Sequence, residues 1–205
     1  MNKSPTPTPQ TRGPSDHDVR TQIVEAATEY FTRYGYEKTT VSDLAKSIGF
    51  SKAYIYKFFD SKQAIGEVIC ANRLNAVMSS VEAAIRDASS AAERFRRMFK
   101  AFVDAGTELF FQERKLYDIA ATAASEPWPS VQQYENFVGE LVAKILKEGR
   151  EAGEFERKTP LDEAANAICL VMRPYINPLL LQHNLDHAQE ATLHLSNLVL
   201  RSLAP

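Results

Sequence analysis

Residues 41–59 read Val-Ser-Asp-Leu-Ala-Lys-Ser-Ile-Gly-Phe-Ser-Lys-Ala-Tyr-Ile-Tyr-Lys-Phe-Phe, and the order resolves into two short helices. Leu44, Ala45 and Ile48 share one apolar face at helical spacing. Gly49 supplies the turn, at a point that calls for a positive φ. Ser51 is placed to cap the second helix, in which Ile55, Phe58 and Phe59 face back to a core. Lys52, Ala53, Tyr54, Tyr56 and Lys57 are then left pointing outward. Two short helices joined by a tight glycine turn, the second presenting small, basic and aromatic side chains, make a reader of the DNA major groove. A plain bundle with solvated lysines explains the apolar face but not two outward tyrosines beside the lysines.

Each outward residue has a chemical use. Ala53 lets the backbone approach the groove, and its methyl can touch a thymine methyl. Tyr54 can reach a base edge or a sugar. Lys52, Tyr56 and Lys57 suit phosphates, and Ser51 stands with them at the start of the reading helix. Lys62 falls in the first turn of the following helix, where its charge adds to the positive end of the helix dipole. Thr40 offers a hydroxyl and a helix N-terminus to a phosphate on the other side.

Outward from this stretch, the chain reads as helix after helix. Ser15 with Asp18 opens the first and Gly35 ends it; Thr40 with Asp43, Ser51, Asp60 with Gln63, and Ser90 with Glu93 open later ones. Thr159, with Pro160 at the first helical position and Asp162 at the third, and Asp186 with Gln189 open the last two. No window alternates like a strand for long. Pro127-Trp128-Pro129 breaks two helices apart, Gly149 and Gly153 bracket the end of another, and Pro174 and Pro178 should kink a long apolar helix over 161–183. The expectation is an all-α chain: a proline-rich disordered tail (1–14) whose Lys3 and Arg12 face solvent or brush phosphates, a three-helix helix-turn-helix domain (15–60), and a helical bundle (61–205).

Charge divides the same way. The chain carries a net −2, but residues 1–65 hold nine Lys/Arg against seven Asp/Glu, and the remainder is acidic. That split fits a small DNA-contacting module on a larger domain. The longest apolar run, Ala167–Met172, is far short of a membrane span, and the N-terminus has no apolar signal core, so a cytoplasmic chain without a membrane partner is expected. Cys70 and Cys169 are too few and too far apart for a zinc site or a disulfide framework, and read as buried thiols.

Arg20, Ile23, Ala26-Ala27, Phe31, Gly35-Tyr36, Thr39-Thr40-Val41, Leu44-Ala45, Gly49-Phe50-Ser51-Lys52, Ile55-Tyr56, Phe59 and Ser61-Lys62 together resemble the DNA-binding signature of the TetR family of transcriptional regulators. The resemblance covers roughly residues 20 to 65 in order and spacing. It implies a three-helix DNA-binding domain, a larger helical ligand-binding domain, and a homodimer that binds double-stranded operator DNA. It also implies phosphate contacts at Tyr56 and Lys62 and a backbone contact at Thr40. Ala53 stands where the family often has glycine. Phe58 stands where it often has a tyrosine or histidine, which removes one polar contact.

The remaining two-thirds carry three apolar stripes. Helix 91–111 sets Phe95, Met98, Phe99, Phe102, Gly106 and Leu109 on one face, and helix 131–148 sets Tyr134, Phe137, Val138, Leu141 and Ile145. Helix 161–183 adds Ile168, Met172, Tyr175 and Leu179. Such stripes make plain core. Summed around a loosely packed bundle, Phe99, Phe102, Tyr117, Trp128, Tyr134, Phe137, Met172, Arg173 and Tyr175 are the candidate lining for a largely apolar or aromatic small molecule, with a mouth near the proline break at Trp128, Tyr117 and Tyr134. Arg173, inside an apolar stretch, must meet an anionic ligand group, an acid across a subunit interface, or solvent. Ile176, Leu179, Leu180, Leu193, Leu195, Leu198, Val199 and Leu200 exceed what one intrachain face needs, so helices 161–183 and 187–203 are the expected dimer surface.

Two other readings compete with a ligand-released repressor. An enzyme finds no support in a nucleophile triad, a P-loop or a glycine-rich dinucleotide loop. No cofactor and no metal are expected: His183, His187 and His194 cluster near the C-terminus but lack a well-placed carboxylate or thiol. A DNA-binding regulator governed by its abundance or by a protein partner, with no inducer, is the second reading; a fully packed bundle favours it, and an apolar cavity opposes it.

Overall fold

The computed structural model describes residues 16–126 and 128–205; the expected tail, Lys3, Arg12, the Ser15 cap and Pro127 lie outside them. The described residues form ten α-helices, with no strand among them. The first four are α1 (Asp16–Tyr34), α2 (Val41–Ile48), α3 (Lys52–Ile55) and α4 (Lys62–Ile85). The rest are α5 (Ala91–Gln112), α6 (Arg114–Ser125), α7 (Pro129–Glu151), α8 (Leu161–Ile176), α9 (Pro178–Leu181) and α10 (Ala188–Ser202). None of the helices is long and apolar enough to cross a membrane.

The core is organised by α5, which touches α4, α6, α7, α8, α9 and α10. Its apolar residues recur at spacings of three and four, so Phe95, Met98, Phe99, Phe102 and Val103 fall on one buried stripe. Its N-terminus is capped twice. Ser90 Oγ accepts from Glu93 N at 3.0 Å, and the Glu154 carboxylate accepts from Ala91 N and Ala92 N at 3.0 and 3.1 Å. One buried cluster runs without interruption from Val19 in α1 to Leu203 after α10. The first three helices are therefore packed into the same core as the rest.

Several boundaries differ from those the sequence implies, each for a local reason. Ser61, not Asp60, caps α4, accepting from Ala64 N at 3.0 Å. Pro160 is the N-cap residue of α8 rather than its first helical residue, since its ψ of 142° is not helical; just before it, Thr159 N donates to the Glu156 carboxylate at 3.1 Å. Asp186 sits in a 3₁₀ turn, Leu185–His187, and α10 begins only at Ala188. The expected helix 161–183 is two helices. Pro174 is accommodated inside α8, but Pro178 drives Asn177 into an extended conformation (φ −81°, ψ 124°) and opens α9 at its first position. Asn177 Oδ1 then accepts from Leu179 N and Leu180 N at 3.0 and 3.3 Å. Cys70 is buried and Cys169 half-buried, and neither is in a disulfide.

The cap on α5 has a pH signature. Glu93 accepts hydrogen bonds from Ser89 Oγ at 2.6 Å and Ser89 N at 2.8 Å. These, with the nearby Arg97 guanidinium, pull its carboxyl from the ordinary 4.5 down to about 2. A depressed carboxyl stabilises the fold fully above its ordinary value and loses that contribution as pH falls toward the folded value. Thermal melts of Glu93→Gln should therefore show a shallower loss of Tm than the parent chain between pH 4.5 and about 2, with the two curves parallel above that window.

Candidate nucleic-acid interface

The reader is built from caps that act over three residues. Thr40 and Asp43 form a reciprocal box: Asp43 N donates to Thr40 Oγ1 at 3.2 Å, while Thr40 N and Thr40 Oγ1 donate to Asp43 Oδ2 at 3.0 and 2.6 Å. Those bonds from Thr40 hold the Asp43 carboxyl below its ordinary value. α2 ends at Gly49, whose φ is +78° and whose N–H closes back on the carbonyls of Ala45 and Lys46. A side chain at Gly49 would meet nothing within 4 Å, so backbone conformation rather than crowding selects glycine there. Ser51 Oγ accepts from Tyr54 N at 3.1 Å to start α3. The helical turns continue past Ile55, with Phe58 N and Phe59 N both bonded to Ile55 O at 2.9 and 3.1 Å.

Ile55 and Phe59 are buried beneath this helix, and Ser51, Lys52, Ala53, Tyr56 and Lys57 are exposed on its outer side. Tyr54 departs from the expected outward position. It is half-buried, edge-to-face between Phe50 (5.0 Å) and Phe58 (5.3 Å), because aromatic edges prefer ring faces to water. Lys57 Nζ lies 5.6 Å from the Tyr54 ring centre, and Lys52 Nζ lies 5.7 Å from that of Tyr56. The sequence singled out no role for Arg20. Its guanidinium donates to Phe58 O and stacks 4.3 Å over Phe59, tying α1 to the end of the reading helix.

Besides Ser51, which caps α3, Thr40 and Lys62 already have intramolecular duties. The single hydroxyl proton of Thr40 goes to Asp43, so a phosphate at that helix end is met by backbone N–H groups or takes that proton from a carboxylate. Lys62 is half-buried, with Nζ 3.0 Å from Tyr36 O and 4.2 Å from the Tyr36 ring centre, which leaves two of its three donors for a phosphate.

The nine ligand candidates do not converge on one cavity. Phe99 and Tyr175, Phe102 and Tyr134, and Phe102 and Phe137 meet edge-to-face at 6.5, 5.7 and 6.3 Å. Tyr134, buried and with its hydroxyl held above the ordinary range by burial, donates to Ile176 O at 3.2 Å. Met172 is fully buried in the same core. Tyr117 lies elsewhere, against Phe110 at 5.0 Å, with its hydroxyl on Pro178 O. Trp128 is 1% exposed and packs toward α4 and the α1–α2 link, so neither it nor Tyr117 stands at a mouth as expected. Arg173 is exposed. With Tyr134, Val138, Cys169, Leu170 and Ile176 it lines a cleft of about 380 Å³ between α7 and α8. Phe137 lines a separate groove of about 490 Å³ between α4 and α7, with Met78, Asn75 and Gln133. Among the described residues no cluster of His, Cys, Asp and Glu could hold a metal.

Residues 23–68 match the family model of bacterial regulatory proteins of the tetR family, and residues 91–195, just over half the chain, match that of the tetracyclin repressor-like C-terminal domain. The chain belongs to the TetR family. It is thus a DNA-binding transcriptional regulator, in a family of regulators rather than enzymes. An uncharacterized HTH-type transcriptional regulator of Bacillus subtilis, YhgD, is 26% identical over 148 residues, 70% of this chain and 75% of YhgD. IcaR of Staphylococcus aureus, the negative regulator of the biofilm operon icaADBC, is 41% identical over 49 residues, 24% of this chain and about a quarter (26%) of IcaR. PfmR, a TetR-family regulator from Thermus thermophilus, superimposes with a TM-score of 0.57 at 26% identity, covering 87% of this chain and 97% of PfmR. FadR from Bacillus subtilis, in complex with stearoyl-CoA, gives 0.60 at 20% identity over 90% and 97% of the two chains, a likeness of fold.

In this TetR-family reader the turn glycine can be tested directly. Gly49→Ala places a Cβ in a left-handed conformation at a cost of about 1 kcal/mol, which in a chain of this size lowers Tm by roughly 2–4 °C. Gly49→Asn should lose clearly less, since asparagine tolerates that conformation and the space is open. Equal losses in calorimetry would point to crowding instead.

Proposed function

We propose that the chain is a dimeric repressor acting in the cytoplasm, whose two copies of α3 read two half-sites of an operator and which a largely apolar small molecule releases. The observation that carries the DNA reading is the outer side of α3: exposed Lys52, Ala53, Tyr56 and Lys57, capped by Ser51 and backed by buried Ile55 and Phe59. Ala53 faces bases, while Tyr54, held between Phe50 and Phe58, braces the helix that presents it; Lys52, Tyr56, Lys57 and Lys62 face phosphates, and Thr40 with Ser51 sits at helix ends near the backbone. Residues to about 60 form the reader, and residues from 61 onward form the dimerisation and ligand-binding domain.

The dimer reading rests on Leu170 of α8 and Leu193 and Leu198 of α10, exposed by 66%, 58% and 62% on adjacent helices. A second copy covering them follows a two-fold arrangement. The ligand reading rests on the α7–α8 cleft, where the apolar walls of Val138, Leu170 and Ile176 adjoin the Arg173 guanidinium. An apolar molecule with an acidic group suits it. Operator and ligand then compete by favouring different tilts of α4. An inducer-free regulator is the second reading. The mutual packing of Phe99, Phe102, Tyr134 and Met172 and the satisfied Tyr134 hydroxyl favour it.

A mobility-shift assay against the chain's own upstream DNA, or against duplexes selected from a random pool, tests the first claim. Nanomolar, salt-sensitive and sequence-selective retention is expected. Lys57→Ala should weaken binding evenly across sequences and reduce the salt slope by about 1, and retention equal on every sequence would overturn sequence-specific reading. Leu193→Glu with Leu198→Glu should turn a dimer into a monomer by sedimentation and abolish tight retention. Apolar carboxylates added to the same assay should release the duplex, and Arg173→Ala should raise the concentration required; release that never occurs, with no molecule co-purifying in native mass spectrometry, favours the inducer-free reading.

A further inference from the structure

The link between α1 and α2, the start of α4 and the start of α7 meet at one point. The Tyr36 ring packs edge-to-face on Trp128, with centres 5.9 Å apart, and on Phe31 at 5.2 Å. Both Tyr36 and Trp128 reach α4 at Gly66. A methyl group there would stand 2.9 Å from Tyr36 Cε2 and 3.1 Å from Trp128 Cη2, inside ordinary van der Waals contact. Two ring edges thus rest on bare helix backbone, with no flexible side chain between them to absorb a displacement.

The residues flanking Gly66 fasten both sides. One turn earlier on the same face, Lys62 donates to Tyr36 O and lies over its ring. Immediately after, the Glu67 carboxylate accepts from Ser130 N at 2.6 Å and Ser130 Oγ at 3.0 Å. The N-cap residue of α7 is Trp128, which offers no side-chain cap, so Glu67 of α4 satisfies an orphan donor of α7 and sets a negative charge at its positive end. Trp128 Nε1 is held by Glu126 at 3.1 Å. Tyr36 stands four residues before the Thr40 cap of α2.

We propose that Gly66, Glu67 and Trp128 are positioning residues for DNA reading. They clamp the first turn of α7 to the link that carries α2 and α3, so that a shift of that turn re-aims the reader through Tyr36. This route into the reader begins at α7 and does not require α4 to tilt as a whole.

The chain has a single tryptophan, so its emission reports this junction alone. The experiment uses the full chain and the tightest duplex recovered by selection. Trp128 emission should change along the same isotherm as duplex retention. Gly66→Ala, which favours helix but wedges the two rings apart, should keep its helical circular dichroism and its oligomeric mass while losing tenfold or more in duplex affinity. Trp128→Phe, which keeps an aromatic edge on Tyr36, should stay within threefold of the parent chain; Trp128→Leu should lose tenfold. Folded Gly66→Ala and Trp128→Leu proteins that bind within twofold of the parent chain would overturn the proposal, as would emission unmoved at saturating duplex. If Gly66→Ala fails to fold, the contrast between Phe and Leu at position 128 decides.

Discussion

The buried stripe of α5 is the constraint on which the rest of the molecule hangs. Six helices lie against it, and Phe95, Met98, Phe99 and Phe102 are each at most 2% exposed. Burying a side chain of that kind contributes about 1.5–3 kcal/mol, so the stripe fixes which faces of α4, α7, α8 and α10 turn inward. Once those faces are committed, Leu170, Leu193 and Leu198 have no intrachain surface left to meet. The core also reaches α1 and α2 without a break. Ordering α4 against α5 therefore helps to order the reader, and the two regions share stability rather than holding it separately.

What was legible in the sequence follows the range of each interaction. A cap acts across three residues, so Thr40 with Asp43, Ser51 and Ser90 with Glu93 could be read from spacing. So could the Gly49 turn, since only a left-handed backbone need be recognised. Where two signals adjoined, as with Asp60 and Ser61, spacing alone could not rank them. The break at Asn177 was missed because the apolar periodicity continues through it. Pro178 marks a new first turn as readily as a kink, and only packing distinguishes the two.

The long-range contacts left no local trace. Glu67 and Glu154 each cap a helix through a backbone N–H 63 residues away, and each looks in sequence like any helical or loop glutamate. Trp128, read beside its prolines, suggested an opening; its place against Gly66 and Tyr36 depends on three segments meeting. Tyr54 was read as outward because Ile55, Phe58 and Phe59 already made up the core face, yet Phe50 and Phe58 supply a second, shallower layer that takes its ring.

Within the reader, structural duty and outward chemistry fall on different side chains. Thr40, Ser51, Gly49, Ile55 and Phe59 build the helices, while Lys52, Ala53 and Lys57 are exposed and support no cap. Substitution at those three positions should accordingly cost little in folding. No such latitude exists where two rings rest on Gly66. Surface chemistry can therefore vary independently of packing at the outer side of α3 and not at the junction of α4 with Tyr36 and Trp128.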